Sequence, residues 1–486
     1  MSASPGLGRG LDSFGFFALA FGSMIGVGWV TAMGGWLTQA GPAGAIVAFL
    51  AGGAIMLAIG LCYAEATPML PVAGGEVAYA YGASGTRSAF VVGWFLAFGY
   101  ISVSAFEAIS IGRVLAYLLP GLDRWPLYSV AGAPVYLTHL LLAILCTVAV
   151  TAVNWIGVAT AGAFQKWLTA AFIAAAVLFV GAGLSHGDFE HAHPFFAGND
   201  ARQVAGGILA VFVTVPFWFV GFDTIPQGAE EATESVPLRR LGTIIIVAIL
   251  AATLFYVALI ASVALSGPWQ QLASSNLPTA RAFELAFRSR IWTSLVLVAA
   301  IIGLLTSWNG FFLAASRVLF SLGRGRIIPA WFGATHEKHA TPHHAVLFTG
   351  LVTLVAPLLG RNALLAFVDV GSFCIGIAFF GVAVSVARLR RSRPDLERPY
   401  RMPGGALVPA VAAAGALFIL AVMIVPGSPA ALRWPLEVAI LGGFTLLGLV
   451  FWTGATALRG QVSDAERGRL ILERYAIGAG DTEAGT

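Results

Sequence analysis

Long apolar runs separated by short polar stretches repeat from one end of this chain to the other. A helix that crosses a bilayer needs about 20 apolar residues. Twelve such runs are predicted, at roughly 14–37, 42–65, 84–118, 135–153, 157–184, 205–233, 239–266, 291–321, 344–360, 363–388, 408–426 and 434–457. Lipid leaves no partner for bare peptide groups, so runs of this length are expected to be helical. The fold class predicted is an all-α polytopic membrane protein with twelve transmembrane helices. The chain divides into an N-terminal segment 1–13, a first set of five spans over 14–184, a second set over 205–388, two further spans over 408–457 and a tail 458–486.

Two of the runs are interrupted. The first span carries Gly22-Ser23-Met24-Ile25-Gly26-Val27-Gly28, and the sixth carries Pro216-Phe217-Trp218-Phe219-Val220-Gly221-Phe222-Asp223-Thr224-Ile225-Pro226. Non-helical backbone is tolerated at membrane depth only where protein covers it or where it lines a cavity. Interrupted spans at corresponding places in two halves of a chain point to a transporter's binding site. First and sixth positions fit a five-plus-five repeat whose halves are inverted, because five is odd. Glycine leaves helical geometry at low cost, so the amides of Ile25, Val27 and Gly28 are candidates to meet a carboxylate at a half-helix N-terminus. Glycines four apart also let helices pack closely, and both readings stand for Gly22 and Gly26. Pro216 and Pro226 free the carbonyls of Phe212 and Phe222, and carbonyls near Phe217 and Val220 would accept from an ammonium group.

Composition agrees. The 486 residues are 58% hydrophobic and 10% charged, against about 25% charged in soluble domains. The net charge of +4 does not point to nucleic acid, since so few charges are spread over many loops. Lys and Arg concentrate in the loops on one side, with 388–401 the densest stretch, which predicts cytoplasmic termini and a multi-pass protein of the cell membrane. No leader cleavage site precedes the first run, which reads as a retained span. Cys62, Cys146 and Cys374 lie in apolar runs and suggest neither a disulfide framework nor a zinc site. His186, His191 and His193, with His343 and His344, fall in loops. No metal, cofactor or catalytic constellation is expected, and the chain does not read as an enzyme.

Five motifs, in order, give a resemblance. They are the glycine segment of span 1; Tyr63-Ala64-Glu65 with Pro71-x-Ala73-Gly74-Gly75-Glu76; Val220-Gly221-Phe222-Asp223 with Ala229-Glu230-Glu231; Ala314-Ala315-Ser316-Arg317 with Gly325-x-Ile327-Ile328-Pro329; and Arg398-Pro399-Tyr400-Arg401-x-Pro403-Gly404-Gly405. Over about residues 12–458 the chain resembles the amino acid–polyamine–organocation transporters. The resemblance implies the LeuT-like arrangement, with helices 1 and 6 unwound. It also implies a site between spans 1, 3, 6 and 8. There the substrate carboxylate would meet Val27 and Gly28, and its amine the carbonyls of Met24, Phe217 and Val220. Ser23, Ile25, Gly26 and Trp218 complete the expected lining, with Phe219, Phe222 and Phe311 as aromatic gates. Trp29 departs from the family's commoner Ile-Phe, so the outer edge of the pocket is expected to differ.

Three of the ionisable residues inside spans bear on function. Lys166, about eleven residues or ~16 Å along span 5, is expected near the midplane. Some family members place a lysine where sodium-coupled relatives hold a cation, and by that resemblance Lys166 would replace sodium, unless it snorkels or pairs structurally. Glu107 in span 3 faces either the substrate's side chain or a network with Asp369 or Arg113. Asp223 either senses protons or caps the inner half of span 6. Together these predict a sodium-independent transporter of an amino acid or related amine, working by alternating access and driven by protons or exchange. Glu107 leans it toward cationic or amine-bearing substrates; the aromatic lining suits a neutral amino acid. A transporter-like sensor or channel is the rival class. The expected partners are the solute, protons and the bilayer, with the chain acting as a monomer or homodimer.

Overall fold

The computed structural model describes residues 10–476 apart from 131, 276 and 429. The expected segments 1–13 and 458–486 lie partly outside the described residues. "Inner" denotes the end that carries the arginine-rich 388–401 segment.

The first span opens with α1 (Ser13–Met24), whose N-cap Asp12 accepts from the Gly15 amide at 2.7 Å, satisfying one of the donors a helix start leaves bare. Winding stops at Ile25 (φ −106°, ψ 78°) and resumes at α2 (Gly28–Thr31), which runs on through Ala32 into the first turns of α3 (Met33–Met69). Inside α3, Gly41 (φ 72°, ψ 172°) breaks the helix just before Pro42. A left-handed φ followed by a proline turns the chain there, so the second span proper starts at Pro42, where the sequence placed it.

A short α4 (Gly75–Ser84) leads into α5 (Thr86–Leu118). Among the described residues, the all-helical expectation is broken at the outer end by an antiparallel hairpin of β1 (Pro126–Val130) and β2 (Ala133–Tyr136). Then come α6 (Leu137–Ile156) and α7 (Val158–His186). The sixth span is assembled from three pieces: α8 (Ala201–Phe212), α9 (Val215–Phe219) and α10 (Thr224–Gln227). Between the last two, Val220 is extended (ψ 138°) and Gly221 takes φ +136°, a backbone that glycine adopts and side-chain-bearing residues resist.

The chain continues through α11 (Leu238–Ser266), the short outer helices α12 (Trp269–Ala273) and α13 (Pro278–Phe287), and α14 (Arg290–Arg324). The ninth run is α15 (His343–Val355), followed by a 3-10 turn at Ala356–Leu359. α16 (Leu364–Ser392), α17 (Leu407–Ile424), α18 (Leu436–Gly454), α19 (Thr456–Gln461) and α20 (Asp464–Leu472) complete the order. Among the described residues, 11 helical segments are long and apolar enough to cross a membrane. The ninth expected run is shorter, because Pro357 cannot extend the α-helix.

α1 lies at the centre against α7, α11 and α14, while α5 packs on α14 and α16. α17 rests on α16 and α3, and α18 on α16. At the inner end α20 docks through buried Arg467, Ile471 and Leu472.

Candidate functional site

The two breaks touch. A Cβ built on Gly221 would lie 2.6 Å from the Met24 amide nitrogen, so the glycine is what lets the backbones meet. From α14, Gly303 admits the Ile25 and Gly26 carbonyls, which would lie 2.9 and 3.0 Å from a Cβ at that position. Broken backbone is thus covered by protein on every side, as its depth in the bundle demands.

Between the breaks a cavity of about 10 Å³ remains, lined by Ser23, Met24, Gly26, Gly28, Glu107, Phe217, Trp218 and Phe311 from the expected set; this is room for about one water. Val103, Phe106, Tyr256 and Ser307 also line it, and the sequence reading named none of these. Tyr256 had a visible signal as a lone tyrosine within span 7. Ser307, in the polar Ser307-Trp308-Asn309 step of span 8, had another.

The carboxylate of Glu107 reaches into the first break. Its Oε1 accepts from the Val27 amide at 3.3 Å, and the Ser307 hydroxyl bonds to it as well. Of the two orientations left open for Glu107, this one faces the site. It also occupies a donor that was expected for the substrate carboxylate. The Met24 carbonyl, expected to accept the amine, accepts from the Tyr256 hydroxyl at 2.9 Å, and the same hydroxyl reaches the Trp218 carbonyl at 3.2 Å. One tyrosine therefore ties the two broken spans together.

The aromatic gate differs from expectation. Phe219 packs on Phe49 and Tyr256, and Phe222 on Tyr63 and Phe379; neither lines the cavity. A 3.6-residue period puts 219 and 222 on one face only while the helix continues, and the break at Val220 and Gly221 turns them apart. The cavity is closed instead by Trp218, whose ring covers Gly28, and by Phe106 against Phe217. Trp29 lies outside it, among Phe172, Phe179 and Phe255, and its carbonyl accepts from Thr279 of α13 at 2.7 Å. Ile25, Val27 and Val220 contribute backbone to the breaks and no lining side chain.

Lys166 is not at the midplane. It lies in the first third of α7 and pairs with Asp12 at 2.7 Å, the side chains being 28% and 50% exposed. The ammonium holds the Asp12 carboxyl below its ordinary value of 3.8. The α1–α7 contact beside it uses neutral groups: Gln165 Nε2 and Thr169 Oγ1 both donate to the Ala18 carbonyl at 3.2 Å. Asn309 of α14 donates to Gln165 at 3.0 Å, and Asn154 to Asn309 at 3.1 Å. A lysine replacing a cation between spans 1, 5 and 8 is therefore corrected to an amide and hydroxyl network there, with Lys166 nearer the inner end.

Asp223 is the N-cap of α10 and makes no capping bond; its Oδ1 accepts from the Gly221 amide at 2.7 Å. It is fully buried, as are Glu76, Glu231 and Arg317. Glu231 and Arg317 form an ion pair at 2.8 Å. Arg324 binds Glu230 at 3.4 Å and Glu473 at 2.8 Å, and Glu65 binds Arg390 at 2.6 Å. These pairs close the inner end. A larger cavity, about 290 Å³, lies toward the outer end and is lined by Arg113, Tyr117, Asp123, His139 and Arg361 among others. Its size does not make it the central site, because neither break borders it.

Two broken helices meeting across a small polar-and-aromatic chamber, inside a bundle sealed at its inner end by ion pairs, define a membrane carrier. The amino acid permease profile matches residues 11–446, and the chain belongs to that family, a branch of the amino acid–polyamine–organocation permeases. It is a multi-pass membrane transporter and not an enzyme. The chain is 26% identical to the branched-chain amino acid permease BcaP of Bacillus subtilis over 86% of its own length and 89% of that protein. It is 28% identical to the methylthioribose transporter of the same organism, over 86% and 89%. With cationic amino acid transporter 7 (chloroplastic) of Arabidopsis thaliana it shares 29% identity over 91% of its own length and 74% of the relative.

Proposed function

We propose that this chain moves an amino acid or a related amine across the cell membrane by alternating access, with both termini cytoplasmic and α15 counted as the ninth of twelve spans. The two halves act as inverted five-span repeats around the paired breaks. Sodium is not required, and protons or exchange drive the cycle. Support for sodium independence comes from the α1–α7–α14 contact, where Gln165 and Thr169 already donate to the Ala18 carbonyl and Asn309 donates to Gln165.

A single observation carries the substrate reading: the Glu107 carboxylate at the first break, bonded to the Val27 amide. A buried carboxylate is costly unless it is paired, and a substrate ammonium entering the chamber supplies the partner. We therefore favour substrates with a primary amine or cationic side chain. The neutral reading rests on Phe106, Phe217 and Trp218, whose faces suit an apolar side chain. The relatives named for branched-chain and for cationic amino acids cover both choices.

Purified protein in liposomes decides between them. Uptake of arginine, lysine, putrescine, ethanolamine and leucine is compared with and without sodium, in wild type and Glu107→Gln. The expected result is sodium-independent, saturable uptake of the amine-rich solutes that the variant loses. Leucine uptake unaffected by the variant would favour the neutral reading. Binding without uptake would favour a sensor, and unsaturable flux a channel.

A further inference from the structure

A group of buried polar side chains lies on the inner side of the breaks and has no part in the solute chamber. Glu76 of α4 and Asp223 at the head of α10 are both 0% exposed. Gln227 of α10 donates to Glu76 Oε2, which ties α4 to the inner half of the sixth span. The helices meet closely there: a Cβ on Gly75 would lie 2.5 Å from Pro226 Cβ. Tyr63 of α3, Tyr79 of α4 and Tyr100 of α5 close the cluster. Tyr79 donates to Thr67 at 3.3 Å and Tyr100 to the Asp223 carbonyl at 3.2 Å.

The neighbouring cations are engaged. Arg317, on α14 beside α10, is bonded to Glu231 and Ser316, and Glu65 of α3 is held by Arg390. That leaves two buried carboxyl groups on touching elements, α4 and α10, without an ion-pair partner among the described residues; burial first, and then Asp223, push the Glu76 carboxyl well above its ordinary value of 4.5. Among the described residues, Asp223 Oδ2 and Gln227 Oε1 are buried without a hydrogen-bond partner, while the Tyr63 hydroxyl bonds to Glu76. Both orphaned atoms are acceptors, and buried acceptors need donors. Two carboxylates in one dry site cannot both stay ionised at ordinary pH, and such a pair titrates as a unit.

We propose that Glu76 and Asp223 jointly hold one transported proton, bound while α4 is seated on α10 and released when the inner end opens and the two helices part. Release breaks one carboxylic O–H bond, and the proton passes to water at the inner end. The carboxylates are then hydrated and separated, which removes the cost of charging both. The site connects to the chamber through Tyr100, whose ring lies 5.6 Å from that of Phe311, and through Gly221, whose amide Asp223 holds while its Cα abuts Met24. Occupancy of the proton site thus bears on the contact between the two breaks. This assignment rests on the transport reading above and adds the coupling site to it.

The test uses full-length protein in liposomes and two modes of transport. Accumulation driven by an inward pH gradient needs the proton; solute counterflow at equal pH does not. Glu76→Gln is expected to lose gradient-driven accumulation while counterflow persists, and Asp223→Asn is expected to lose the accumulation as well. If wild type fails in both modes, the transport reading itself fails. If wild type is gradient-driven and Glu76→Gln remains so, the shared proton is overturned. Should either variant fold poorly, infrared spectroscopy of the wild type and the other variant reports the proton directly. A band of protonated carboxylic acid at neutral pH, lost in that variant, supports the proposal. A spectrum identical in wild type and variant would mean that the orphaned oxygens are met by water alone, and the assignment falls.

Discussion

Gly26 has no room for a side chain. A Cβ there would run into Glu107 Oε1 and lie 2.8 Å from Ser307 Oγ, so a larger residue pushes the carboxylate away from the break. Gly26→Ala is expected to lower the initial uptake rate by about tenfold or more, equivalent to about 1.4 kcal/mol, in proteoliposomes matched for protein content. A wild-type rate would mean that Glu107 leaves the break freely. At this scale the sequence exposed the glycines and Glu107 by their types alone. It could not say which way Glu107 faced, because position along a helix fixes depth and not direction. Lys166 was misplaced for a related reason. Its count along the span set a depth, but a flexible four-carbon stem takes the charge to water or to an acid, here Asp12 at the helix cap. An exposed pair of this kind contributes roughly 0–1 kcal/mol. Because Asp12 is held below 3.8, that contribution is present above about pH 4 and fades as pH falls through the lowered value.

Among elements, the sixth span departs furthest from a regular helix. Proline and glycine announced its break, and the break falls at Val220–Asp223, with Pro216 starting α9 rather than ending a helix. Pro is at home in a first turn, where its missing amide is no loss. The segment that follows is held by the Glu231–Arg317 pair, 0% and 2% exposed. Arg317→Met leaves Glu231 buried and unpaired, and an expected cost of about 3–5 kcal/mol should appear as a large drop in thermal stability. Adding Glu231→Gln should restore most of the loss. No recovery in the double variant would show that the arginine acts through packing alone.

Over the whole molecule, the inner end is sealed from three directions. The chain start pairs with the end of the sixth span, Gly10 and Leu11 amides donating to the Glu231 carbonyl at 2.9 and 3.2 Å. The tail returns over α4, where the Tyr81 hydroxyl donates to the Asp464 carbonyl at 2.9 Å. Glu473 reaches Arg324, and Ile471 packs on Gly325. Truncation after Gln461 is expected to loosen α4 and raise amide hydrogen exchange across Gly75–Ser84. Unchanged protection would make the tail a passenger. Nothing local in the sequence of this segment reveals that it latches onto Arg324.

Spans, breaks and family were written along the chain, because hydrocarbon imposes length and winding on each segment separately and glycine or proline relaxes them at fixed places. What faces what was left to the tertiary structure. Glu107 on the Val27 amide, Tyr256 bridging Met24 and Trp218, Gln165 on the Ala18 carbonyl and Gln227 on Glu76 each join residues far apart in sequence. Their pairing depends on helix rotation and register, which are set by the packing of the whole bundle and leave no mark in any one segment.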